Sequence, residues 1–400
     1  MCKYCSRITE KDFFEQLALK WGNGNLWGCT PEGAVKIIRE IFSSEEVQAL
    51  TAIPVHEVPL EPVGLDEIAA NSDLPRDTLE EILDGLVSRS LIFTAKTQAG
   101  NKSYILPKQG HGYDQLFFWK GDKNERALKI SQLQADQQMF QGPKMKFYSP
   151  PTKLFRYIPV TESIDGHWQN VYPTETIIKV LQKATRFAVA HCICREKYEL
   201  KNGKSCGHSH EVCVKINDLA ECVINAGLAR EITREEAEEI MWKAEAEGLV
   251  HMADNAGEQI KHICNCCGCA CWNVGRFRRR ELPRDMLIAT YFIRETNTEE
   301  CIGCENCVEI CPVDAVRMED GVAKVDLEWC IGCGVCVPKC DIQAIKLVEK
   351  EPKPSGAESF AELHHKIAAQ RAHAAADKSQ YPEKELINNS QQKKESSNWS

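Results

Sequence analysis

Hydrophobic residues recur at helical spacing in residues 31–107. In the segment PEGAVKIIREIF, Val35, Ile38 and Ile41 fall on one face of a helix. The segment GLDEIAANSDLPRDTLEEILDGLVSRS predicts two further helices separated by a turn. LIFTAKTQAGNKSYILP then gives two strand-like runs around Gly100, which is typical of a hairpin. We therefore predict a small helical domain closed by a hairpin.

This order of helices and hairpin resembles a winged-helix domain by its pattern, without a diagnostic motif. The would-be recognition helix runs from Arg76 to Ser90 and carries four carboxylates, Asp77, Glu80, Glu81 and Asp84. They outnumber its two arginines, so the helix would present a net negative face to phosphates. We expect this domain to serve packing or protein contacts, and nucleic-acid binding is disfavoured.

The middle and the end of the chain carry weaker patterns. Residues 108–190 are rich in aromatic residues among Pro and Gly, and we expect extended connecting segments there. Two helices are predicted between residues 217 and 252, the second with Thr233 and Glu236 at capping-box spacing. Cys222 falls on the apolar face of the first, so we interpret it as a buried core thiol.

A shift in composition marks residues 350–400. One Ala-rich helix is predicted there, followed by a polar tail that we expect to be disordered. Three histidines, His364, His365 and His373, are expected on the surface of that helix.

Composition and charge change this picture through the cysteines. The chain has 21 of them and a net charge of −9, which disfavours general binding to nucleic acid. Its apolar runs are shorter than the roughly 18 residues of a membrane span, and a signal-peptide core is not evident, so we expect a cytoplasmic protein. In a reducing cytosol, cysteines are metal ligands more often than disulfides. Because 18 of them lie from Cys192 to Cys340, metal chemistry is expected in the second half.

The most specific motif is a cysteine repeat. CIGCENCVEICP at 301–312 returns as CIGCGVCVPKCD at 330–341, and both have the spacing C-x2-C-x2-C-x3-C. Such a loop can wrap three corners of a cubane cluster, and the fourth thiolate must come from elsewhere. The repeat resembles the bacterial two-[4Fe-4S] ferredoxins, over residues 295–348.

The resemblance implies a ligand set for each cluster, because the last cysteine of each motif serves the other cluster in that family. One set would be Cys301, Cys304, Cys307 and Cys340. The other would be Cys330, Cys333, Cys336 and Cys311. Asp341 stands where a Pro usually follows the fourth cysteine, which we expect to affect the turn rather than the ligation. Structural zinc is the alternative for these thiolates.

Nine further cysteines lie in the predicted Cys-rich domain, residues 191–290. The first group is Cys192, Cys194, Cys206 and Cys213. The second group, in HICNCCGCACW, is Cys264, Cys266, Cys267, Cys269 and Cys271. In an extended chain the last three would share one face, with the first two placed by a turn. Three histidines near the first group could compete as zinc ligands: His191, His208 and His210.

Three arrangements of these nine thiols stay open. Each group holds its own [4Fe-4S] cluster, or the groups share ligands around one cluster or one zinc ion, or Cys266 and Cys267 form a redox-active vicinal pair. We favour the first, because many unliganded thiols would be prone to oxidation. The segments HCICR, REITREEAEEIMWKAEAEGLVHM and ICNCCGC also resemble those of multi-cysteine ferredoxin-like proteins of anaerobic bacteria and archaea. That resemblance implies electron transfer without naming a partner.

A basic run follows the second cysteine group. It contains Arg276, Arg278, Arg279 and Arg280. These side chains either dock an acidic redox partner by electrostatic steering or form a solvated face that offsets the charge of the clusters.

Together the patterns predict an α+β multidomain protein. After an N-terminal segment (1–30) come the winged-helix-like domain, the connecting region, the Cys-rich α+β middle domain and the ferredoxin-like module. We expect an iron–sulfur protein that passes single electrons between a cytoplasmic donor and an oxidoreductase partner, or serves as an oxidoreductase subunit, with no residue acting on a substrate. The alternative is a redox-sensing regulator that uses the winged helix.

Overall fold

The computed structural model describes residues 12–22, 31–96, 100–108, 111–112, 115–136, 146–147, 150–163, 177–281, 284–376 and 384–385. Its α-helices are α1 (Phe13–Gly22), α2 (Pro31–Ile41), α3 (Ser44–Ala52), α4 (Leu65–Ala70), α5 (Arg76–Ser88), α6 (Glu125–Asp136), α7 (Ile177–Lys183), α8 (Ile193–Asn202), α9 (Asn217–Asn225), α10 (Arg234–Ala246), α11 (Val274–Arg278), α12 (Asn306–Glu309) and α13 (Phe360–Ala376). Its strands are β1 (Val63–Gly64), β2 (Phe93–Lys96), β3 (Lys102–Ile105), β4 (Lys146–Phe147), β5 (Phe155–Ile158), β6 (Phe187–His191), β7 (Glu211–Ile216), β8 (Arg230–Ile232), β9 (Val250–Asp254), β10 (Ala256–Glu258), β11 (His262–Cys266), β12 (Ile288–Ala289), β13 (Phe292–Thr296), β14 (Val316–Glu319), β15 (Val322–Val325), β16 (Ile345–Glu349), β17 (Ala357–Ser359) and β18 (Lys384–Glu385). Within these ranges, no helix combines the length and apolar character that crossing a membrane requires.

The N-terminal part of the fold consists of α1 to α5 with a small sheet. Strands β1, β3 and β2 pair in that order and antiparallel. The helices bury Leu17, Ile38, Leu50 and Leu83 in a common core. The helices and the hairpin that the hydrophobic pattern predicts are therefore confirmed, whereas the resemblance to a winged helix stays a prediction.

Helix α3 is missed by the hydrophobic pattern, although a polar signal marks its start. The Ser43 hydroxyl accepts the N–H of Glu46 at 3.2 Å, and the Glu46 carboxylate accepts the N–H of Ser43 at 2.9 Å. This capping box satisfies two backbone donors that would otherwise have no partner. The serine and the glutamate three residues later are visible in the sequence and could have identified the helix.

The acidic face of α5 packs against the hairpin of its own domain. The ammonium of Lys102 lies 2.5 Å from Asp84 and 3.4 Å from Glu80. The hydroxyl of Tyr104 donates to Asp84 at 2.8 Å. Part of the negative charge of the would-be recognition helix is thus neutralised by strand β3.

A seven-stranded sheet forms the centre of the molecule, in the order β12-β5-β9-β11-β7-β6-β8. Its pairings are antiparallel except for β12 with β5. Strands β5 and β6 come from the predicted connecting region, and the others come from the predicted Cys-rich domain. Residues on both sides of the boundary at 190 therefore belong to one sheet.

The two faces of this sheet carry different side chains. On one face, Val214 and Ile263 pack against α7 and α10 in an apolar core. Successive side chains of a strand point to opposite faces. The neighbouring residues Cys213 and Cys264 consequently lie on the other face, in a cluster with Trp119 and α9.

Several local predictions around this sheet are confirmed. The Thr233 hydroxyl accepts the N–H of Glu236 at 3.2 Å and caps α10. Cys222 is buried in an apolar cluster, and this burial raises the pKa of its thiol to about 12.

The predicted Ala-rich helix is present as α13. The tail predicted to be disordered lies outside the described residues, apart from β18. The surface position predicted for His364 is wrong, because Nε2 of this histidine is buried. The helix packs there against Ala256 of β10 through Leu363 and Ile367.

The C-terminal module is built from two similar halves. Strand β13 pairs with β16, and β14 pairs with β15, in both cases antiparallel. Gly303 and Gly332 occupy the same place in the two cysteine motifs and have φ angles of +72° and +61°. A Cβ at either position would overlap a backbone carbonyl oxygen, that of Gly321 or Phe292 respectively. This explains why both motifs read Cys-Ile-Gly-Cys.

This module packs directly on the central sheet. One apolar cluster joins Phe155 and Val250 of the sheet to Val313 and Val335 of the module. The N–H after strand β5, from Val160, donates to the carbonyl of Cys333 at 3.0 Å. The sheet and the module therefore share a core.

We predict that Gly268→Ala destabilises the protein. A Cβ at Gly268 would overlap the carbonyl oxygen of Pro312 in the C-terminal module, so the two backbones would have to separate. Overpacking of this kind costs about 1–3 kcal/mol. Anaerobic thermal unfolding of the full chain measures the effect as a lower Tm.

Gly85→Ala is the matched control for this substitution. Gly85 lies inside α5, and a Cβ there would meet nothing within 4 Å. Replacing a glycine by alanine in an open helical position stabilises by about 0.5–1 kcal/mol. Equal Tm changes in the two variants would contradict the close contact with Pro312.

Candidate metal centres

Four cysteines of the C-terminal module line one pocket: Cys301, Cys304, Cys307 and Cys340. Cys301 and Cys304 belong to the loop that leads into α12, Cys307 lies in α12, and Cys340 comes from the second motif. A backbone N–H donates to one of the sulfurs, from Ala323 to Cys301 at 3.4 Å. These are the four residues that the ferredoxin resemblance assigns to one cluster.

The other four thiols of the module lie deeper. Cys333 is buried, and burial together with the charges of Cys336, Cys311 and Cys330 raises its pKa well above the usual value. The N–H of Ala315 donates to Cys311 at 3.3 Å. The assignment of these four to a second cluster stays a prediction.

Residues 300–345 match the family model of the 4Fe-4S dicluster domain. The matched segment contains all eight of these cysteines, so the C-terminal module is of the ferredoxin type and supports an iron–sulfur role. The cysteines from residue 192 to residue 271 lie outside it. Comparison with curated proteins found no significant match to the chain.

The donor chemistry of the dicluster domain fits the clusters of its family. Each group offers four thiols, which is the number of protein ligands that a [4Fe-4S] cluster takes. Backbone N–H groups aimed at the sulfurs stabilise thiolates, as they do for metal-bound sulfur. When bound, the clusters would supply one-electron redox chemistry.

Arg294 is a functional candidate that the sequence analysis missed. Only 2% of it is exposed, and it lies between the two thiol groups of the dicluster domain. Its N–H donates to Cys330 at 3.4 Å, and Nη2 donates to Cys307 at 3.5 Å. A buried cation in this position offsets the negative charge of thiolates on both sides. A single arginine in a strand offers no sequence signal for such a role.

The positions of the cysteines in HICNCCGCACW depend on where the strand that carries HICNC ends. His262 to Cys266 form β11, and the chain turns at residues 268–270. The prediction that residues 267–271 are extended and that a turn precedes them is therefore wrong. The physical reason lies in packing, because the backbone at Gly268 meets Pro312 of the dicluster domain and has to turn there.

Strand geometry separates the adjacent residues Cys266 and Cys267. Cys266 lies in the apolar cluster shared with the dicluster domain, whereas Cys267 packs with Ala244 and Leu249 near the end of α10. Neighbouring side chains at the end of a strand face opposite ways. This arrangement disfavours a vicinal disulfide between the two cysteines.

Cys267 belongs to a compact three-thiol group with Cys206 and Cys269, whose sulfur atoms all lie within 4.8 Å of one another. A hydrogen bond from Cys269 and the charge of Arg195 lower the pKa of Cys267 to about 4. Arg195 itself is 1% exposed and donates to the carbonyl of Asn265 at 2.9 Å. A buried arginine therefore accompanies these thiols, as Arg294 accompanies those of the dicluster domain.

The other six upstream thiols make a second, connected group. Side-chain hydrogen bonds link them in the order Cys192, Cys194, Cys271, Cys266, Cys264 and Cys213. The first two lie at the start of α8, and burial contributes to raising the pKa of both thiols well above the usual value. Both thiol groups mix cysteines from the two sequence groups, which favours shared sites over one separate site for each sequence group.

The three histidines near these cysteines bind carboxylates. Nδ1 of His191 and Nδ1 of His210 lie 2.8 Å and 2.5 Å from the buried carboxylate of Glu196. His208 lies 3.7 Å from Glu247. Because carboxylates engage these imidazoles, we expect cysteines rather than histidines to be the metal ligands of the upstream centres.

The basic run is largely engaged within the chain. Arg280 donates to the carbonyls of Val313 at 2.9 Å and Asp314 at 2.8 Å in the dicluster domain, and its guanidinium stacks on Trp329. Arg278 pairs with Asp314 as well, at 2.7 Å.

The other two arginines, Arg276 and Arg279, both pair with Glu281 at 2.9 Å. The run therefore holds the dicluster domain against the sheet, and Arg278 and Arg279 are its exposed members.

We predict that Arg294→Gln, which replaces the buried arginine of the dicluster domain, lowers the reduction potential of the clusters in that domain. Removing a cation about 5–6 Å from a centre makes the added electron less stable, by on the order of 100 mV at an effective dielectric constant of about 20. An anaerobic redox titration followed by EPR measures the shift.

Arg317→Gln serves as the control within the same domain. Arg317 is exposed on β14 and pairs with Glu319 at 3.6 Å, so solvent screens its charge. We expect its potentials to stay near those of the wild type. Matching potentials in all three proteins would contradict the role assigned to Arg294.

Cys206→Ala is predicted to remove the metal held by the three-thiol group. Loss of one of three close sulfur donors leaves too few thiolates for either zinc or a cluster. Metal analysis should show a loss of iron or of zinc relative to the wild type, with about eight iron atoms of the dicluster domain retained.

Cys222→Ala is the control for this loss. Cys222 is an equally small, buried thiol, but it packs among apolar side chains. Its metal content should equal that of the wild type. If both variants kept the full content, the three-thiol group would hold no metal.

Proposed function

We propose that this protein is an iron–sulfur electron-transfer protein in which upstream thiol-bound centres exchange electrons with the dicluster domain. The supporting observation is the common apolar cluster of the sheet and the module. It contains Cys266 and Cys271 from the upstream group together with Cys311, Cys330 and Cys333 from the dicluster domain. Centres held by these residues would face each other across a core that excludes water.

The burial of the ligands suggests an order for the centres. Cys333 is 8% exposed and lies beside the upstream thiols, whereas Cys304 is exposed. Electrons would pass between the upstream centre, the inner cluster (Cys330, Cys333, Cys336 and Cys311) and the outer cluster (Cys301, Cys304, Cys307 and Cys340). A sequence of this kind carries electrons from the interior to the surface, or in reverse.

The outer cluster is the proposed contact point for a redox partner. Ile302 and Ile342 line its cavity and are 70% and 37% exposed. Exposed apolar side chains around a functional site are typical of a protein interface. Arg278 and Arg279 remain as the arginines for electrostatic steering of the partner. Their ion pairs with Asp314 and Glu281 fix their distance from this face.

The upstream centres are proposed to be one [4Fe-4S] cluster bound by four of the six connected thiols, and a further cluster or a zinc ion in the three-thiol group. The cytoplasmic location stays a prediction, and so does a place as a subunit of an oxidoreductase. The alternative, a redox-sensing regulator, is less well supported. Lys102 neutralises only part of the acidic face of α5, and the carboxylates that remain repel phosphates.

Iron and acid-labile sulfide analysis of the anaerobically purified chain tests the proposal. We expect about twelve to sixteen iron atoms per chain, because each cluster contributes four. Reduction should give EPR spectra with magnetic interaction between clusters, since the thiol groups share a core. About eight iron atoms, with spectra from the dicluster domain alone, would contradict the upstream cluster and the proposed electron path.

A further inference from the structure

A second kind of donor cluster, made of imidazole and carboxylate groups, lies on the central sheet. It consists of His111, Asp254 and His262, which are 0%, 0% and 4% exposed. Asp254 ends β9, and His262 begins β11 next to it. Helix α13 covers this place with His364, whose ring centre lies 5.6 Å from that of His111. His111 and His262 therefore both face the carboxylate of Asp254, and His364 lies beside His111.

The distances inside this group fit a metal ion better than hydrogen bonds. One oxygen of Asp254 lies 3.4 Å from Nε2 of His111 and 3.7 Å from Nδ1 of His262. Two ligands of a tetrahedral zinc ion with bonds of about 2.0–2.1 Å are roughly 3.3 Å apart. Three ligand atoms, one each from His111, Asp254 and His262, lie within 4.8 Å of one another.

The same molecule supplies a comparison for these distances. His191 and His210 form hydrogen bonds to the buried carboxylate of Glu196 at 2.8 Å and 2.5 Å. Imidazole and carboxylate therefore approach closely here where a hydrogen bond joins them. At Asp254 both approaches are longer by more than half an ångström.

Unpaired polar atoms point to a missing ligand. Within the described residues, Nδ1 of His262 and Nε2 of His364 are buried without a hydrogen-bond partner. The other oxygen of Asp254 accepts the N–H of Lys261 at 2.7 Å and that of His262 at 3.4 Å. A buried carboxylate and two unpaired imidazole nitrogens cost free energy unless a cation satisfies them.

We propose that His111, Asp254, His262 and His364 bind one zinc ion. Three imidazoles and one carboxylate are donors that zinc prefers, and four protein ligands in a closed, buried place are typical of a structural site. The ion ties α13 and the segment around His111 to the start of β11. That strand carries Cys264 and Cys266, so the zinc fixes the start of this central strand beside the thiols.

Zinc analysis of the full chain, purified anaerobically with its clusters, tests this site. His364→Ala should lose about one zinc ion per chain, because it removes one of four ligands. His365→Ala is the matched control: its neighbouring imidazole is exposed and lies 2.7 Å from Glu57. Its zinc content should equal that of the wild type. Iron content should be unchanged in both variants, which separates this result from the proposed electron-transfer function.

X-ray absorption at the zinc edge identifies the donors even if His364→Ala folds poorly. It is measured on Cys206→Ala, in which the three-thiol group can no longer supply zinc with sulfur ligands. The expected first shell contains nitrogen and oxygen at about 2.0–2.1 Å. A sulfur shell at about 2.3 Å, or a chain purified without zinc, would overturn the proposal.

Discussion

The apolar packing of the dicluster domain on the central sheet is the constraint on which the rest of the structure depends. Phe155, Val250, Val313 and Val335 share one cluster, which also contains thiols of both regions, such as Cys266 and Cys333. Removing water strengthens electrostatic interactions and lowers the energy needed to rearrange the surroundings when charge moves. The apolar contact that holds the two regions together therefore also excludes water from the space between their thiols.

Burying so many thiolates requires compensating charge, and the fold supplies it from two places. Arg195 and Arg294 are almost fully buried, one beside the three-thiol group and one between the thiol groups of the dicluster domain. Backbone N–H groups add hydrogen bonds to Cys301 and Cys311. Arg195 in α8 and Arg294 in β13 thus both offset the negative charge of nearby thiolates, in different parts of the chain.

Several features were accessible from local sequence patterns because local forces decide them. The cap at Thr233, the helical apolar spacing of residues 31–41 and the left-handed glycines of the two cysteine motifs follow from backbone hydrogen bonding and steric limits. The capping box at Ser43 was of the same kind and was overlooked. Strand order, by contrast, left no trace in the sequence, so the contribution of β5 and β6 to one sheet was not foreseen.

The sequence by itself determined the eight cysteines of the dicluster domain, because a cubane cluster requires that spacing within a short loop. It also determined that Cys222 is an apolar core residue. Only the tertiary structure divided the nine upstream cysteines into groups of three and six. Whether Cys266 and Cys267 face the same side depends on where β11 ends, and Pro312 of a distant segment sets that end. Likewise, the docking of α13 buried Nε2 of His364 and placed its ring beside that of His111, a residue far away along the chain.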